Sequence, residues 1–289
     1  MLGLDPDPAQ LWPAASDAGA VSAGSSTSPA ERAAHAVSAH CRLVLEATAD
    51  QCVAVKLQVA CFERLGAPGW AALKRVVQYG RERGLLVIAD GKRGDIDVTA
   101  AAYAQAFFGE TPTPFGPVAS LSVDALTVNP LLGADSLAPL VLAAREARAG
   151  LFVLVRTSNP GAADIEELEL AGGDSVSDRI ADLVSAVGAH GVGASGLSDV
   201  GAVVGATAPT WVARLRERMP NAVFLLPGVG AQGGAVETLE AAFAPGPAGG
   251  LIAASRAIVA AHSRLGGEPG AAARAEAARL RELTWSLAA

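Results

Sequence analysis

The sequence predicts an α/β protein, a single-domain (β/α)8 TIM barrel that spans residues 1–289. Short apolar runs alternate with amphipathic, alanine-rich segments along the whole chain, and eight such pairs can be distinguished. The apolar runs are continuous rather than alternating, which is typical of strands covered on both faces. A chain of this length could form two domains, but eight βα units favour one barrel.

The apolar runs and the segments between them give the predicted elements in order. Strands are predicted at residues 2–4, 52–57, 85–89, 125–128, 151–155, 200–205, 223–226 and 251–254. Helices are predicted at residues 29–47, 69–83, 98–108, 135–147, 176–189, 209–218, 234–243 and 271–287.

The beginning of the chain departs from an ideal barrel. Met1 lies only four residues before Asp5, so either the first strand is truncated or the native start codon lies upstream. Residues 6–28 are rich in Ser, Gly, Ala and Pro, and they predict a flexible loop after the first strand.

The composition argues against a nucleic-acid or membrane-surface binder, because the formal net charge is −7 and the isoelectric point is about 5.2. The sequence predicts neither a transmembrane helix nor a signal peptide. The three cysteines, Cys41, Cys52 and Cys61, form no C-x-x-C pair, and we expect reduced core thiols in a cytoplasmic protein. No metal site is expected from these thiols and the four scattered histidines.

The third predicted strand leads into the most informative motif, Asp90-x-Lys92-x-x-Asp95. Residues two apart on a strand point to the same side, so Asp90 and Lys92 are expected to leave the strand end together, with Asp95 on the following turn. Taken alone, the motif is better explained by a solvated turn with incidental salt bridges. Polar residues after the other strands favour a functional site, because this fold places its site at the carboxyl ends of its strands. They are Asp5, Lys56, Asn129, Arg156, Thr157, Ser158, the glycines of residues 228–234, Ser255 and Arg256.

Two segments match the glycine pattern G-x-G-x-x-G, at residues 191–196 and 228–233. A dinucleotide site would need a βαβ unit with an acidic residue about 20 positions further on. The chain at residues 244–250 is instead rich in Pro and Gly and uncharged. The segment after the seventh strand therefore predicts a phosphate-binding loop, with Arg256 after the eighth strand as a bidentate cation.

Together these residues resemble the orotidine 5′-phosphate decarboxylase family, and more narrowly its longer bacterial subgroup with the motif A-D-G-K-R-G-D-I. The motif of residues 89–96 is highly specific when it is joined to a lysine on the second strand, here Lys56. Further matching segments lie at residues 3–6, 55–58, 62–64, 127–130, 156–160, 203–207, 227–234 and 255–256.

The resemblance implies roles in the charged part of the site. Asp5 and Lys56 would contact the ribose hydroxyls and orient the charges. Asp90 and Lys92 would flank the C6 carboxylate of the pyrimidine.

The resemblance also implies roles for the remaining residues. Ser158 would hydrogen-bond the pyrimidine ring, while Gln232, Gly230 and Arg256 would hold the 5′-phosphate. Asp95 and Thr99 would reach across a dimer interface into the partner's site, so the implied catalytic unit is a homodimer.

The implied reaction is the decarboxylation of orotidine 5′-phosphate to UMP, the last step of de novo pyrimidine nucleotide synthesis. No cofactor is expected, because the sequence offers no pyridoxal-lysine motif, thiamine motif or metal cluster. Lys92 can stabilise the developing carbanion and donate a proton to C6. Asp90 adds repulsion that fades as CO2 leaves.

Two other functions stay open at this point. A metal-dependent sugar-phosphate decarboxylase or aldolase of a related barrel would place an acidic ligand on the second strand, where this chain has Lys56. A non-catalytic nucleotide-binding barrel would have little use for both Asp90 and Asp95.

Overall fold

The computed structural model describes residues 1–21, 27–230 and 232–288. The chain divides into two units, of which the first comprises Met1–Gly91 and Ser255–Arg281. The second comprises Lys92–Ala254 and the residues from Glu282 onward. None of the helices in the described ranges is long and apolar enough to cross a membrane.

Most of the strands are buried apolar segments, as the continuous runs in the sequence predict. The strands are β1 (Leu2–Leu4), β2 (Ala54–Gln58), β3 (Leu86–Arg93), β4 (Glu110–Thr111), β5 (Val118–Ala119), β6 (Ala125–Val128), β7 (Gly150–Arg156), β8 (Val200–Val204), β9 (Phe224–Leu226) and β10 (Gly250–Ile252). Within the described residues, β4 and β5, which are short and exposed, form a separate antiparallel pair, and the other eight follow one another in one sheet in chain order. The eight predicted strands all exist, with ends that differ by a few residues.

The helices follow the strands as the amphipathic segments predict. They are α1 (Pro13–Val21), α2 (Pro29–Thr48), α3 (Ala60–Glu63), α4 (Gly66–Glu82), α5 (Asp97–Phe107), α6 (Ala134–Glu146), α7 (Ala162–Ile165), α8 (Val176–Gly188), α9 (Pro209–Arg218), α10 (Arg256–Val259), α11 (Ala261–Leu265) and α12 (Pro269–Ala288). The short helices α3, α7, α10 and α11 and the β4–β5 pair were not predicted, because segments of two to five residues carry almost no periodicity.

In the first unit, β1 and β3 flank β2 in parallel, with Leu4 opposite Leu57 and Gln58 opposite Asp90. Helix α4 packs closely on this sheet through Gly80. A Cβ atom at Gly80 would lie 3.2 Å from a methyl of Val87 and 3.3 Å from one of Val55. The close approach of helix and sheet fixes the strand ends from which the polar residues emerge.

The segment predicted as a loop at residues 6–28 contains helix α1, so the prediction of a continuous loop is wrong over Pro13–Val21. Trp12 anchors the beginning of this helix: it is 5% exposed, and its indole N–H donates to the Val259 carbonyl at 3.0 Å. Its backbone N–H donates to Nδ1 of the buried His40 at 3.1 Å. Composition alone could not predict this helix, because one buried aromatic residue fixes a segment that is otherwise rich in Ser, Gly and Pro. Residues 22–26 lie outside the described residues, and the flexibility of the segment stays a prediction.

In the second unit, β6, β7, β8, β9 and β10 pair in parallel in that order. Their outer helices are joined by ion pairs around Asp178, a fully buried carboxylate in the first turn of α8. Asp178 accepts hydrogen bonds from the Ser175 N–H and hydroxyl, both at 2.7 Å. Arg214 Nε of α9 donates to it at 2.8 Å, and Arg218 Nε lies 3.2 Å away. These contacts fix α8 against α9.

The helix predicted at residues 234–243 is wrong. The structure has two short 3-10 turns there, at Val236–Thr238 and Glu240–Phe243. The buried guanidinium of Arg216 explains the difference, because it donates to the carbonyls of Ala242 at 2.8 Å and Gly249 at 3.0 Å. These carbonyls are thereby held by a side chain instead of by helical N–H groups.

Candidate active site

A buried ion pair forms the centre of the candidate site in the first unit. Lys56 Nζ lies 2.6 Å from Asp90 Oδ2 and 3.6 Å from Asp5 Oδ1. Lys56 and Asp90 are only 7% and 6% exposed, whereas the side chain of Asp5 is 38% exposed. The strand register accounts for this cluster, since Lys56 and Asp90 stand on neighbouring strands and Asp5 follows β1, which pairs with β2. The structure therefore brings together three of the predicted site residues.

The electrostatics of the cluster favour a charged lysine. Burial lowers the pKa of Lys56, but the carboxylates of Asp90 and Asp5 outweigh burial, and the net shift of this pKa is upward. A buried lysine is acceptable here because it is paired and hydrogen-bonded. Lys56 is therefore a fixed positive charge that orients the two carboxylates.

Sequence reasoning assigned no role to Gln58, which also belongs to this cluster. Its Nε2 donates to Asp90 Oδ2 at 3.3 Å, beside the Lys56 ammonium. A signal for it was present in the sequence, because residues two apart on a strand share a face and Gln58 follows Lys56 at that spacing.

Strand β3 extends to Arg93, so the prediction that the strand ends at residue 89 is wrong. Asp90 and Lys92 belong to the last part of the strand rather than to a turn beyond it. The Lys92 backbone has φ of +47°, a left-handed conformation that costs a non-glycine residue roughly 1–2 kcal/mol. The Thr127 hydroxyl accepts the Lys92 N–H at 2.9 Å and helps to hold this conformation. The Lys92 side chain is exposed.

Gly94 of the same motif is required by a close backbone contact. A Cβ atom at this position would lie 2.9 Å from the Asn129 carbonyl oxygen and 3.1 Å from Asn129 Cβ. The Asn129 N–H donates to the Arg93 carbonyl at 2.7 Å, which closes the contact from the other side. Asn129, predicted among the strand-end residues, thus supports the motif through its backbone.

Asp95 and Thr99 lie at the surface of the second unit. Asp95 is half-buried, and its Oδ1 accepts the N–H of Ile96 at 2.8 Å. Thr99 is exposed in the first turn of α5. The structure therefore leaves both side chains accessible beside the motif.

Ser158 and Gln232 come together around Gly228 in the second unit. A Cβ atom at Gly228 would lie 2.9 Å from Gln232 Oε1 and 3.1 Å from Ser158 Cβ. Gly228 has φ of +101°, so glycine is required there both by space and by backbone conformation. The predicted pyrimidine and phosphate residues Ser158 and Gln232 are thereby neighbours, as one nucleotide site requires.

The two glycine-rich segments have similar internal bonding. At Gly230 the N–H donates to the Gly234 carbonyl at 3.0 Å, so this amide is engaged inside its loop. In the second match, Gly193 N–H donates to the Leu197 carbonyl at 2.9 Å and Gly196 N–H to the Gly193 carbonyl at 3.0 Å. The glycines of both segments therefore shape turns.

Arg156 and Arg256, both at predicted strand ends, differ in exposure. Arg156 is buried and pairs with Glu167 at 2.6 Å, so it is part of the framework. Arg256 is the exposed first residue of α10 in the first unit. Of the two, Arg256 is the arginine with an accessible guanidinium.

The side chains in the described ranges do not support a metal centre. No group of three or more His, Cys, Asp and Glu side chains there has an arrangement that could hold a metal ion. The three cysteines are free thiols; Cys41 is buried, whereas Cys52 and Cys61 are only half-buried, so the prediction that all three lie in the core is wrong for these two.

Comparison with known proteins gives a consistent assignment. Residues 4–274 match the family described as Orotidine 5'-phosphate decarboxylase / HUMPS family. Orotidine 5'-phosphate decarboxylase of Deinococcus radiodurans is 46% identical over 245 residues, which cover 84% of this chain and 84% of that protein. The enzyme of the same name from Rhodopirellula baltica is 43% identical over 224 residues, covering 78% of this chain and 73% of that protein.

The solved structure of Leishmania donovani OMP decarboxylase matches with a TM-score of 0.74 and 31% identity, covering 99% of this chain and 92% of that one. Together with the parallel sheet of β1, β2, β3 and β6–β10, this match confirms the predicted (β/α)8 fold class. The resemblance drawn from the sequence is confirmed as well, and the chain belongs to the orotidine 5′-phosphate decarboxylase / HUMPS family.

Proposed function

We propose that this chain decarboxylates orotidine 5′-phosphate to UMP, the last step of de novo pyrimidine nucleotide synthesis, with its own side chains as the only catalytic groups. The observation that carries the proposal is the buried ion pair between Lys56 and Asp90. Lys92 follows Asp90 by two residues in the sequence. A buried acid beside a motif lysine suits a substrate that loses a carboxylate as CO2.

Lys92 is the proposed catalytic acid. The C6–carboxylate bond breaks, the electron pair stays on C6, and CO2 leaves. The Lys92 ammonium stabilises this carbanion and transfers a proton to C6, which gives UMP and a neutral amine that water reprotonates. Asp90, held by Lys56 and Gln58, places a fixed negative charge beside the departing carboxylate.

The remaining residues would hold the nucleotide. Asp5 and Lys56 contact the ribose hydroxyls, and Ser158 hydrogen-bonds the pyrimidine ring. Gln232 and Arg256 bind the 5′-phosphate, to which Gly230 contributes by shaping the loop. Binding energy from the phosphate offsets the repulsion between Asp90 and the substrate carboxylate.

The active form would be a homodimer that works in the cytoplasm, in which Asp95 and Thr99 complete the partner's site. The exposure of Thr99 and the partial exposure of Asp95 support this assembly. Apolar side chains next to them support it too, since Ile96 and Val98 are 50% and 83% exposed. The three free thiols fit a reducing compartment.

Ultraviolet monitoring of orotidine 5′-phosphate conversion tests the activity, with EDTA present and no metal added. We expect turnover that EDTA does not reduce. Absence of turnover by the folded chain would overturn the proposal, and EDTA sensitivity would favour the metal-dependent alternative.

Lys92→Ala tests the chemical step. We expect kcat to fall by roughly 10³-fold or more, because one residue supplies both charge stabilisation and the proton. Lys74→Ala, which removes an exposed lysine of α4, is the matched control and should leave kcat unchanged. A Lys92→Ala variant with near-normal kcat would remove Lys92 from the mechanism.

Arg256→Ala tests the phosphate assignment. We expect KM for the nucleotide to rise about 10–100-fold, the range for losing a charge-assisted hydrogen bond, with no change for the nucleoside orotidine. Arg75→Ala, at an exposed position of α4, is the control. Equal losses for nucleotide and nucleoside would contradict a phosphate contact.

A further inference from the structure

Glu166 binds the residue that precedes Ser158. It follows α7, and its Oε2 accepts the backbone N–H of Thr157 at 2.7 Å. The Thr157 hydroxyl lies 2.9 Å from Oε1 and 3.1 Å from Oε2 of the same carboxylate. The hydroxyl also lies 2.7 Å from Oδ1 of Asn159, so the contact that is specific to the Glu166 carboxylate is the one with the Thr157 N–H.

The backbone of Glu166 is held by hydrogen bonds on both sides. The Glu166 N–H donates to the Ala162 carbonyl, and the Glu166 carbonyl accepts the N–H of Ser177, both at 2.8 Å. Ser177 is fully buried, and its hydroxyl donates to the Val155 carbonyl of β7 at 2.9 Å. The Glu166 backbone is thus tied through Ser177 to β7, the strand that leads into Thr157 and Ser158.

Ser158 is restrained from the other side as well. Its carbonyl accepts the Thr207 hydroxyl at 3.1 Å. Its Cα lies so close to Gly205 that a Cβ atom there would be 2.7 Å away. On the N-terminal side of Ser158, the preceding residue Thr157 is held by the Glu166 carboxylate.

We propose that Glu166 is a positioning residue for pyrimidine recognition: by binding Thr157, it sets the direction of the Ser158 hydroxyl without touching the substrate. This inference rests on the proposed function, in which Ser158 contacts the pyrimidine ring. Loss of the carboxylate leaves the Thr157 N–H without its acceptor and lets the segment rotate, so that the contact with the base weakens and the contact with the phosphate does not.

Binding of UMP and of ribose 5-phosphate separates these effects, because the second ligand lacks only the pyrimidine. For Glu166→Ala we expect Kd for UMP to rise roughly 3–10-fold, the range for one hydrogen-bonding group, with Kd for ribose 5-phosphate unchanged. Glu166→Gln should restore UMP binding to within about two-fold, since the amide can accept the Thr157 N–H and donate to its hydroxyl. Glu169→Ala, at an exposed position of the same segment, is the control and should bind both ligands normally.

A double variant tests whether Glu166 acts through Ser158. In a Ser158→Ala background, Glu166→Ala should weaken UMP binding no further, because the hydroxyl that it positions is absent. Additive losses, equal losses for both ligands, or unchanged UMP binding would each overturn the inference. If Glu166→Ala does not fold, Glu166→Asp withdraws the carboxylate from the Thr157 N–H, and unchanged UMP binding by that variant would overturn the inference equally.

The failure of the proposed function has a different signature. A wild-type chain that does not convert orotidine 5′-phosphate contradicts the proposed function. A chain that converts it, while Glu166→Ala binds UMP normally, contradicts only the positioning role.

Discussion

At the scale of single residues, burial decides which ionisable groups control stability. His40 is 2% exposed in α2, and its Nδ1 accepts the Trp12 N–H, which requires an unprotonated nitrogen. Burial lowers the pKa of His40 from 6.5 to about 4. The unfolded chain therefore binds a proton between these pH values that the folded chain does not bind, so stability falls as pH falls from about 6.5 to about 4.

We expect this group to remove about 3 kcal/mol of unfolding free energy over that interval. His40→Asn, which keeps an acceptor for Trp12 and cannot titrate, should reduce the pH dependence between pH 7 and pH 4.5 by about 2.4 kcal/mol in urea unfolding. His35→Asn, an exposed position of the same helix, should change nothing. Identical pH profiles for wild type and His40→Asn would contradict the assignment.

Gly94 gives a second prediction at this scale, because its contact with Asn129 leaves no room for a methyl group. Gly94→Ala should shift the motif that contains Lys92, and we expect a loss of stability of roughly 1–3 kcal/mol together with a lower kcat. Gly172→Ala, where a Cβ atom meets nothing within 4 Å, is the matched control. Thermal unfolding and the decarboxylation assay on both variants check this; a Gly94→Ala chain equal to the control would disprove the steric requirement.

Candidate site residues could be predicted from the sequence where a charged residue type made them recognisable. Lys56, Asp90 and Asp5 were predicted because a charge after an apolar run is conspicuous, and they do form a cluster. Glu166 could not be predicted, since an acid in the acidic run Glu166-Glu167 carries no signal until the fold brings it to Thr157. Contacts to backbone groups have no sequence pattern of their own.

At the scale of elements, Arg216 determines the structure of the chain between β9 and β10. Its guanidinium donates to four carbonyls, those of Met219, Ala222, Ala242 and Gly249, at 2.7–3.0 Å. It also lies over the Phe224 ring, with 3.7 Å between Cζ and the ring centroid. Burial lowers the pKa of Arg216 to about 10, which still leaves it charged at neutral pH.

Arg216→Met should therefore destabilise the chain by roughly 3 kcal/mol or more, because the four carbonyls lose a buried donor together. Arg179→Met, at an exposed position of α8, should have little effect. Urea unfolding at pH 7 compares the two variants. If Arg216→Met is as stable as the control, the guanidinium does not hold this segment.

The same residue shows why element prediction succeeds for most of the chain and fails here. Helices such as α9 follow from periodicity, because local hydrogen bonds satisfy their backbone. In the segment from Val236 to Phe243 the apolar pattern suits a helix, but a distant arginine binds one of its carbonyls. Tertiary contacts of this kind override local preference, and only the folded structure reveals them.

At the scale of the whole molecule, the proposed homodimer requires an interface between two copies of the chain. Val98 in α5 and Leu131 after β6 are 83% and 79% exposed. Val98 follows Gly94 closely in sequence, and Leu131 follows Asn129. Because Gly94 contacts Asn129, both apolar residues lie in the same region as Asp95 and Thr99. An interface there would cover them and bring Asp95 to the partner.

Val98→Asp should convert the dimer into a monomer, because a carboxylate would be buried in the interface. Sedimentation at several concentrations measures the change, and activity should fall with the dimer fraction. Val53→Asp, 64% exposed before β2, is the control and should remain dimeric. A Val98→Asp variant that stays dimeric would place the interface elsewhere.

Mixing two inactive variants tests whether the site is shared. Lys92→Ala lacks the proton donor and Asp95→Ala lacks the residue proposed to serve the neighbour, so each homodimer should have little activity. After exchange of subunits, half of the dimers are mixed, and each mixed dimer has one intact site, with Lys92 from one chain and Asp95 from the other. Activity should return to about one quarter of wild type, as two-fold symmetry requires. If Asp95 served its own subunit, every site in the mixture would lack one group, and mixing would restore no activity.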